Sequence, residues 1–380
     1  HLSIRRQRQM CIRDRDTAAL FGGEAVDGKH TLRMNASRLE EFAACPFRHY
    51  ASYLLGLSDR SPAEFTPALL GSLYHHVFDK AVERLAGSGY DWLTGDPAPV
   101  RDALRSVLED MREEYSELAN RRRASYVLER AQLLCDLHAA WMARTAAENR
   151  RTPRYTELRF GPEPEADLPA VRIATDAADV LLSGYIDRVD AGPGGATVVD
   201  YKLSGRPVQW DMFLAGRQLQ LPVYMLAIAA AGDPTLAPGQ AEFQPVEPDW
   251  SGNDRASLKA AGMPQHGRSQ EQPAGGNAAA ISNILGETRR IVGELAGRML
   301  SGEIAAKPLR QGGGKWVACS SCSFRPVCRF DPASGARYRD TTPGSPARLR
   351  DRLLGGERFP GSANGTGGQA GGADQGAGNG

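Results

Sequence analysis

No run of 18 or more apolar side chains occurs in the 380 residues, which excludes a helical membrane span. No segment has the charged, apolar and small-residue succession of a secretory leader. Cysteine is sparse: positions 11, 45, 135, 319, 322 and 328 are too few and too unevenly spaced for a secreted disulfide scaffold. The asymmetric spacing points instead to metal ligation in a reducing compartment. Net charge is lacking too, with 46 Lys and Arg against 45 Asp and Glu. A nucleic-acid partner would therefore need a local basic surface, for which Arg121-Arg122-Arg123 and Arg150-Arg151 are candidates. Because the sequence opens on His1, a fragment of a longer chain is expected. Residues 1–34 are expected to be disordered or non-native, since His1 to Arg15 is arginine-rich without a periodic pattern.

What is present reads as a helix-rich front followed by a sheet, an α/β domain. Ser37 is the expected N-cap of a first helix, with Glu40 completing a capping box. Leu70, Leu73, Val77, Phe78, Ala81 and Leu85 form one face of a second helix, which also carries His75 and His76. Two further helices are expected near residues 99–118 and 124–148, the latter with Cys135 as a buried core thiol. From Pro153 the period becomes alternating, with strands expected over 155–160, 171–175, 180–190 and 197–202. A single helix over 212–231, a strand over 241–246 and a long helix over 278–300 complete the elements. Residues 247–277, rich in Gly, Pro, Ser, Gln and Asn, are expected to be a flexible insertion, and 346–380 a disordered tail.

The stretch with most chemical content is Val198-Val199-Asp200-Tyr201-Lys202. Gly192-Pro193-Gly194-Gly195 separates it from a preceding strand and is a strong turn signal. With those four residues as the loop, Ala191 pairs with Ala196, Asp190 with Thr197, and Asp187 faces Asp200. Opposed carboxylates sit about 5 Å apart at Cβ and repel, so a cation site is one reading. A solvated hairpin face with a charge pair is the other, and the hairpin alone does not separate them. Asp27-Gly28-Lys29 repeats the Asp-x-Lys tripeptide in a turn-like setting. There Gly23 to His30 nearly matches a phosphate-binding loop, but His30 replaces the Ser or Thr that would reach Mg²⁺. Cys319, Cys322 and Cys328 supply three soft ligands within ten residues, and Cys45 is the best candidate for a fourth. Spacing alone does not separate zinc from an iron–sulfur cluster.

Four segments in order resemble the RecB-type branch of the PD-(D/E)XK nucleases. They are Gly71-Ser72-Leu73-Tyr74-His75, Gly184-Tyr185-Ile186-Asp187-Arg188-Val189-Asp190, Val199-Asp200-Tyr201-Lys202 and Gln220-Leu221-Pro222-Val223-Tyr224. The cysteines, with Ser37 to Phe47, are similar to the iron–sulfur form of the AddB C-terminal nuclease domain. The resemblance spans roughly Asn35 to Pro332, and the insertion after Glu247 is its main departure. It implies a restriction-endonuclease-like core over 35–345: a mixed central sheet flanked by helices, with a helical N-terminal part and a C-terminal cysteine cluster. It implies that Asp187, Asp200, the Tyr201 carbonyl and His75 bind Mg²⁺ or Mn²⁺. Lys202 would orient the attacking water, Gln220 would position Lys202 or the DNA backbone, and Tyr224 would pack or contact phosphate. Glu157 would be an accessory carboxylate. Cys45, Cys319, Cys322 and Cys328 would hold a [4Fe–4S] cluster as a structural staple. The implied protein is a bacterial, cytoplasmic, nucleoid-associated deoxyribonuclease, Mg²⁺-dependent and of exonuclease type. DNA and an AddA-like helicase–nuclease would be its partners in break repair. The competing expectations are a catalytically inactive DNA-binding scaffold and a zinc-binding interaction domain.

Overall fold

The computed structural model describes residues 24–26, 29–58, 67–114, 122–176, 178–204, 208–247, 261–263, 274–314 and 316–355. Strands β1 (Glu24–Val26) and β2 (Lys29–Met34) pair as a hairpin, so part of the stretch expected to be disordered is sheet. Leu32 and Met34 of β2 are buried in the main core, which explains why that segment is ordered. The near-match to a phosphate loop falls partly on β1 and β2 and partly outside the described residues.

Helix α1 (Ala36–Ala44) is capped earlier than expected. The Asn35 side chain, not Ser37, accepts the Arg38 N–H at 2.8 Å. A short α2 (Pro46–His49) follows Cys45. Helices α3 (Pro67–Ser88), α4 (Pro97–Glu114) and α5 (Arg122–Asn149) then pack into a core of their own, built on Phe78, Leu104, Trp92, Trp141 and Met142. Cys135 lies within it, and burial pushes its thiol up to about 12.

The central sheet runs β10-β9-β8-β7-β3-β4. Its strands are β3 (Thr152–Gly161), β4 (Leu168–Pro169), β7 (Gly184–Gly192), β8 (Gly195–Lys202), β9 (Pro238–Pro245) and β10 (Ala261–Met263). It is mixed: β8 pairs parallel with β9, and antiparallel with β7. A second sheet, β1-β2-β6-β5, contains β5 (Val171–Ala174) and β6 (Ala178–Leu182). The single strand expected over 180–190 is thus two, β6 and β7, which part at Ser183 into different sheets.

Between β8 and β9 lie α6 (Trp210–Leu214) and α7 (Gln220–Ala230), where one helix was expected. Gly216, at φ 78°, provides the left-handed backbone that breaks it. Leu221 through Ile228 are all buried, as expected for a helix enclosed on every side. The long helix α8 (Ala274–Leu300) packs against α7 and the smaller sheet. Strand β10 lies within the stretch expected to be a flexible insertion, and α8 starts inside it; the rest of 248–273 is outside the described residues. Strands β11 (Leu309–Arg310) and β12 (Arg339–Asp340) pair around the cysteine segment, which holds α9 (Arg325–Cys328). Helix α10 (Pro346–Leu354) occupies the beginning of the expected tail, with Leu349 and Leu353 buried. Residues 356–380 lie outside the described residues. The central sheet therefore sits between two cores. Val189 and Val198 face the α7 and α8 side, and Val199 and Tyr201 face the α3 to α5 side.

Candidate metal centre at an unpaired rung of the sheet

The β7–β8 hairpin turns on Pro193 and Gly194, since Gly192 and Gly195 are already paired and the loop is shorter than expected. Gly195 has φ 94°, and a Cβ there would stand 2.6 Å from the Ala237 carbonyl. Only glycine lets the tip of the hairpin meet the start of β9 so closely. From this tip the register runs as expected through Asp190–Thr197 to Arg188–Val199. At the next rung, where Asp187 faces Asp200, the ladder ends. The Tyr201 N–H donates instead to Asp187 Oδ2 at 2.7 Å.

Strand β3 breaks at the same level. It pairs Thr156 with Arg188 and Leu158 with Ile186, leaving out the rung between, which holds Glu157 and Asp187. Glu157 has φ 46°, a left-handed conformation that costs a β-strand glutamate energy. Glu157, Asp187 and Asp200 thus occupy one unpaired rung across three adjacent strands. His75 comes in from α3. Its Nε2 lies 3.1 Å from the Tyr201 carbonyl oxygen and its Nδ1 3.5 Å from Asp187 Oδ1. His75, Glu157 and Asp187 each bring one ligand atom within 4.8 Å of the others. His76, the next residue on α3, is exposed.

The electrostatics follow from burial and crowding. Asp200 is fully buried; its Oδ1 has no hydrogen-bond partner, and Oδ2 meets the Lys202 ammonium. Burial, then the Asp187 charge, pushes Asp200 up to about 7 despite Lys202 and His75. Glu157 is exposed to solvent, yet partial desolvation, followed by Asp187 and Asp79, raises its pKa. For His75, burial opposes the charged ring, but Asp187, Asp200 and the Tyr201 carbonyl outweigh it and raise its pKa. Burial, then Asp200 and Asp187, raises the Tyr224 phenol. Tyr224 Oη accepts from Gln220 Nε2 at 3.1 Å. Lys202 lies over the Phe243 ring, 5.6 Å from its centre.

Three supporting groups are not evident in the sequence. Asp79, one turn after His75, is buried and pairs with Lys80 at 3.2 Å. Its i+4 spacing from His75 was the one available signal. Arg188 is buried, forked onto Asp190 at 2.8 and 3.1 Å, and donates to Tyr201 Oη at 2.7 Å. This holds the residue whose backbone contacts both Asp187 and His75. Glu40, expected to cap its own helix, reaches across to α7. Its Oε1 accepts from the Leu219 and Gln220 N–H groups at 2.8 and 3.3 Å.

The cysteines gather elsewhere. Cys45 caps α2, where the Phe47, Arg48 and Lys307 N–H groups favour its thiolate, although burial dominates and raises its pKa. Burial, then the charges of Cys45, Cys322 and Cys328, pushes the Cys319 thiol up to about 11. Arg339 of β12 ties the ends together, donating to the carbonyls of Ala43 and, at 3.0 Å, Lys307.

The mixed sheet thus brings two opposed carboxylates and a lysine to the place where its strands part. The family model of the PD-(D/E)XK nuclease superfamily matches residues 33–329, and the chain belongs to that superfamily. Among curated proteins it is similar to the B component of the ATP-dependent helicase/deoxyribonuclease of Desulforudis audaxviator, 28% identical over 85% of this chain and 31% of that protein. The corresponding protein of Symbiobacterium thermophilum is 29% identical, over 80% and 30% of the two chains. That of Moorella thermoacetica is 28% identical, over 85% and 32%. The chain spans about a third of the length of these relatives. Among the described residues no helix is long and apolar enough to cross a membrane.

Proposed function

We propose that the chain is a divalent-metal-dependent deoxyribonuclease, the nuclease part of an AddAB- or RecBCD-like helicase–nuclease in double-strand break repair and recombination. The observation that carries this reading is the Asp200 carboxylate, fully buried opposite a second carboxylate with one oxygen unpartnered. A buried charge is costly unless a cation or hydrogen bonds offset it. The surrounding donors are carboxylate and carbonyl oxygens with one imidazole, which suits Mg²⁺ or Mn²⁺. Asp187, Asp200, the Tyr201 carbonyl and His75 would hold the ion, with Glu157 as an accessory carboxylate. A bound ion supplies acidification of water and stabilisation of phosphate charge.

The chain's own groups do the rest. Lys202, held at Asp200, orients the attacking water and shares the charge of the phosphate. The water oxygen bonds to phosphorus as the bond to the leaving oxygen breaks, and that oxygen takes up a proton. Gln220 positions Lys202 or the DNA backbone, with Tyr224 as its hydrogen-bond partner. The mode is exonucleolytic, the partners are DNA and an AddA-like helicase–nuclease, and the setting is the bacterial cytoplasm at the nucleoid.

The cysteines hold a structural [4Fe–4S] cluster in this reading. Four thiolates suit an iron–sulfur cluster as they do zinc, and the resemblance to the iron–sulfur nuclease domains selects the cluster. The test is cleavage of single- and double-stranded DNA with Mg²⁺ or Mn²⁺, with the visible absorption of the same anaerobic samples recorded. Wild type is expected to cleave and to absorb, and Asp200→Ala to absorb without cleaving. Full Mg²⁺-dependent cleavage by Asp200→Ala would overturn the reading.

A further inference from the structure

Beyond the unpaired rung, the same two strands carry a feature that packing does not explain. Arg159 of β3 stands directly opposite Tyr185 of β7. The guanidinium carbon is 5.8 Å from the centre of the tyrosine ring. Strand β7 is an interior strand, yet Tyr185 is 52% exposed. Its neighbours Leu158, Phe160 and Ile186 are buried in the main core. Alternation therefore turns Arg159 and Tyr185 to the other face of the sheet, which is left open there. Glu157, the exposed carboxylate of the metal group, precedes Arg159 by two residues, and Asp187 follows Tyr185 by two. At about 3.3 Å per residue the ring lies roughly 7 Å along the strand from Asp187. That is within reach of the nucleotides flanking a phosphate bound at the rung.

We propose that Tyr185 and Arg159 form a base-stacking subsite for the single strand of DNA whose phosphodiester is cut at Asp187 and Asp200. The proposal rests on the nuclease reading above and adds to it how the strand is held. The exposed ring offers a π-face to any base, so the subsite is indifferent to sequence. The guanidinium lies over the ring and offers donors to the adjoining phosphate. In the free chain Arg159 is paired with Glu163 at 3.6 Å, both side chains partly exposed. A DNA phosphate would displace that carboxylate, an exchange of one weak surface ion pair for a charge-assisted contact.

The test is a titration, in EDTA to prevent cutting, of a short oligothymidylate carrying one 2-aminopurine near its end. Wild-type chain is expected to quench the 2-aminopurine as it stacks. Tyr185→Ala should lose the quenching and weaken binding about 5- to 150-fold, the equivalent of about 1–3 kcal/mol for one stacked base. It should keep the wild-type melting temperature, because the ring is exposed. Tyr185→Trp should restore both signals, and Glu163→Gln should tighten binding by freeing Arg159. The proposal is overturned if wild type does not quench, if Tyr185→Ala binds like wild type, or if Tyr185→Trp is as weak as Tyr185→Ala. Cleavage by the wild type, assayed in parallel with Mg²⁺, reports separately on the nuclease reading.

Discussion

Asp200 sets the pH behaviour of the site. Its carboxyl is held at about 7 in the folded chain by burial and by Asp187, against about 3.9 for a free aspartate. Between those values the folded state holds a proton that the unfolded state has lost. Without metal, its contribution to stability is full below about pH 4 and is lost as pH rises through about 7. Buried His49 and His138, lowered to about 3 and about 4 chiefly by desolvation, act with the opposite sign. The clean measurement is therefore the difference in unfolding free energy between wild type and Asp200→Asn. Wild type should lose stability relative to the variant from about pH 4 to about pH 7, and a difference independent of pH would refute the assignment. At this scale much was legible. Counting residues back from the glycine turn places Asp187 against Asp200, and strand alternation joins Asp200 to Lys202. Glu157's left-handed backbone was not legible, because no local signal says that a strand pairing will skip one rung.

Helix α7 shows how an element is placed by a residue far from it in sequence. It carries Gln220 and Tyr224, and it begins without a side-chain cap of its own. Glu40 supplies the missing acceptor from α1, while Arg217 of the preceding loop donates to the Glu40 carbonyl at 3.1 Å. Glu40→Ala leaves helix-terminal N–H groups without that partner. It should cost about 1–2 kcal/mol in urea unfolding and slow cleavage by loosening Gln220. Glu40→Gln keeps an acceptor oxygen and should recover most of both. Equal losses in the two variants would mean that the charge, and not the cap, is what matters. The sequence suggested a capping box because Glu40 stands three residues after Ser37. Asn35 takes the local role, and only the tertiary neighbour shows what Glu40 does. The same limit explains the helix drawn through 212–231. Apolar periodicity continues across Gly216, whereas the chain turns there to bring α7 against the sheet.

At the scale of the molecule, Cys45 at the end of α1 and Cys319 between β11 and β12 are 274 residues apart in sequence, and the proposed cluster would bridge them. A ligand bridge over that distance removes much of the freedom of the unfolded chain. Cys322→Ala should lower the Tm by about 5–10 °C, the shift that about 2–3 kcal/mol brings in a large domain. It should also remove the visible absorption. An unchanged Tm would leave the cluster without a structural role. Arg339, which bonds across the same junction, keeps the two ends adjacent through protein contacts as well.

The amino-acid sequence by itself determined what is local or periodic: the helical faces, the glycine turn, the hairpin register, and the residue types that could hold a cation or a cluster. The family's motifs stand in order along the chain, so their resemblance was readable there too. Tertiary structure alone decided where β6 and β7 part, that β2 and α10 are ordered, and that Glu40 caps α7. It also decided that Asp79 is buried near the site and that Glu157, expected there as an accessory carboxylate, takes a left-handed backbone. These depend on which surfaces meet after the chain has folded back on itself, and contacts between distant residues leave no period in the sequence. Asp187 and Asp200 belong to both categories. Their spacing from a turn was written in the sequence. Their burial side by side, which gives them their chemistry, came only from packing.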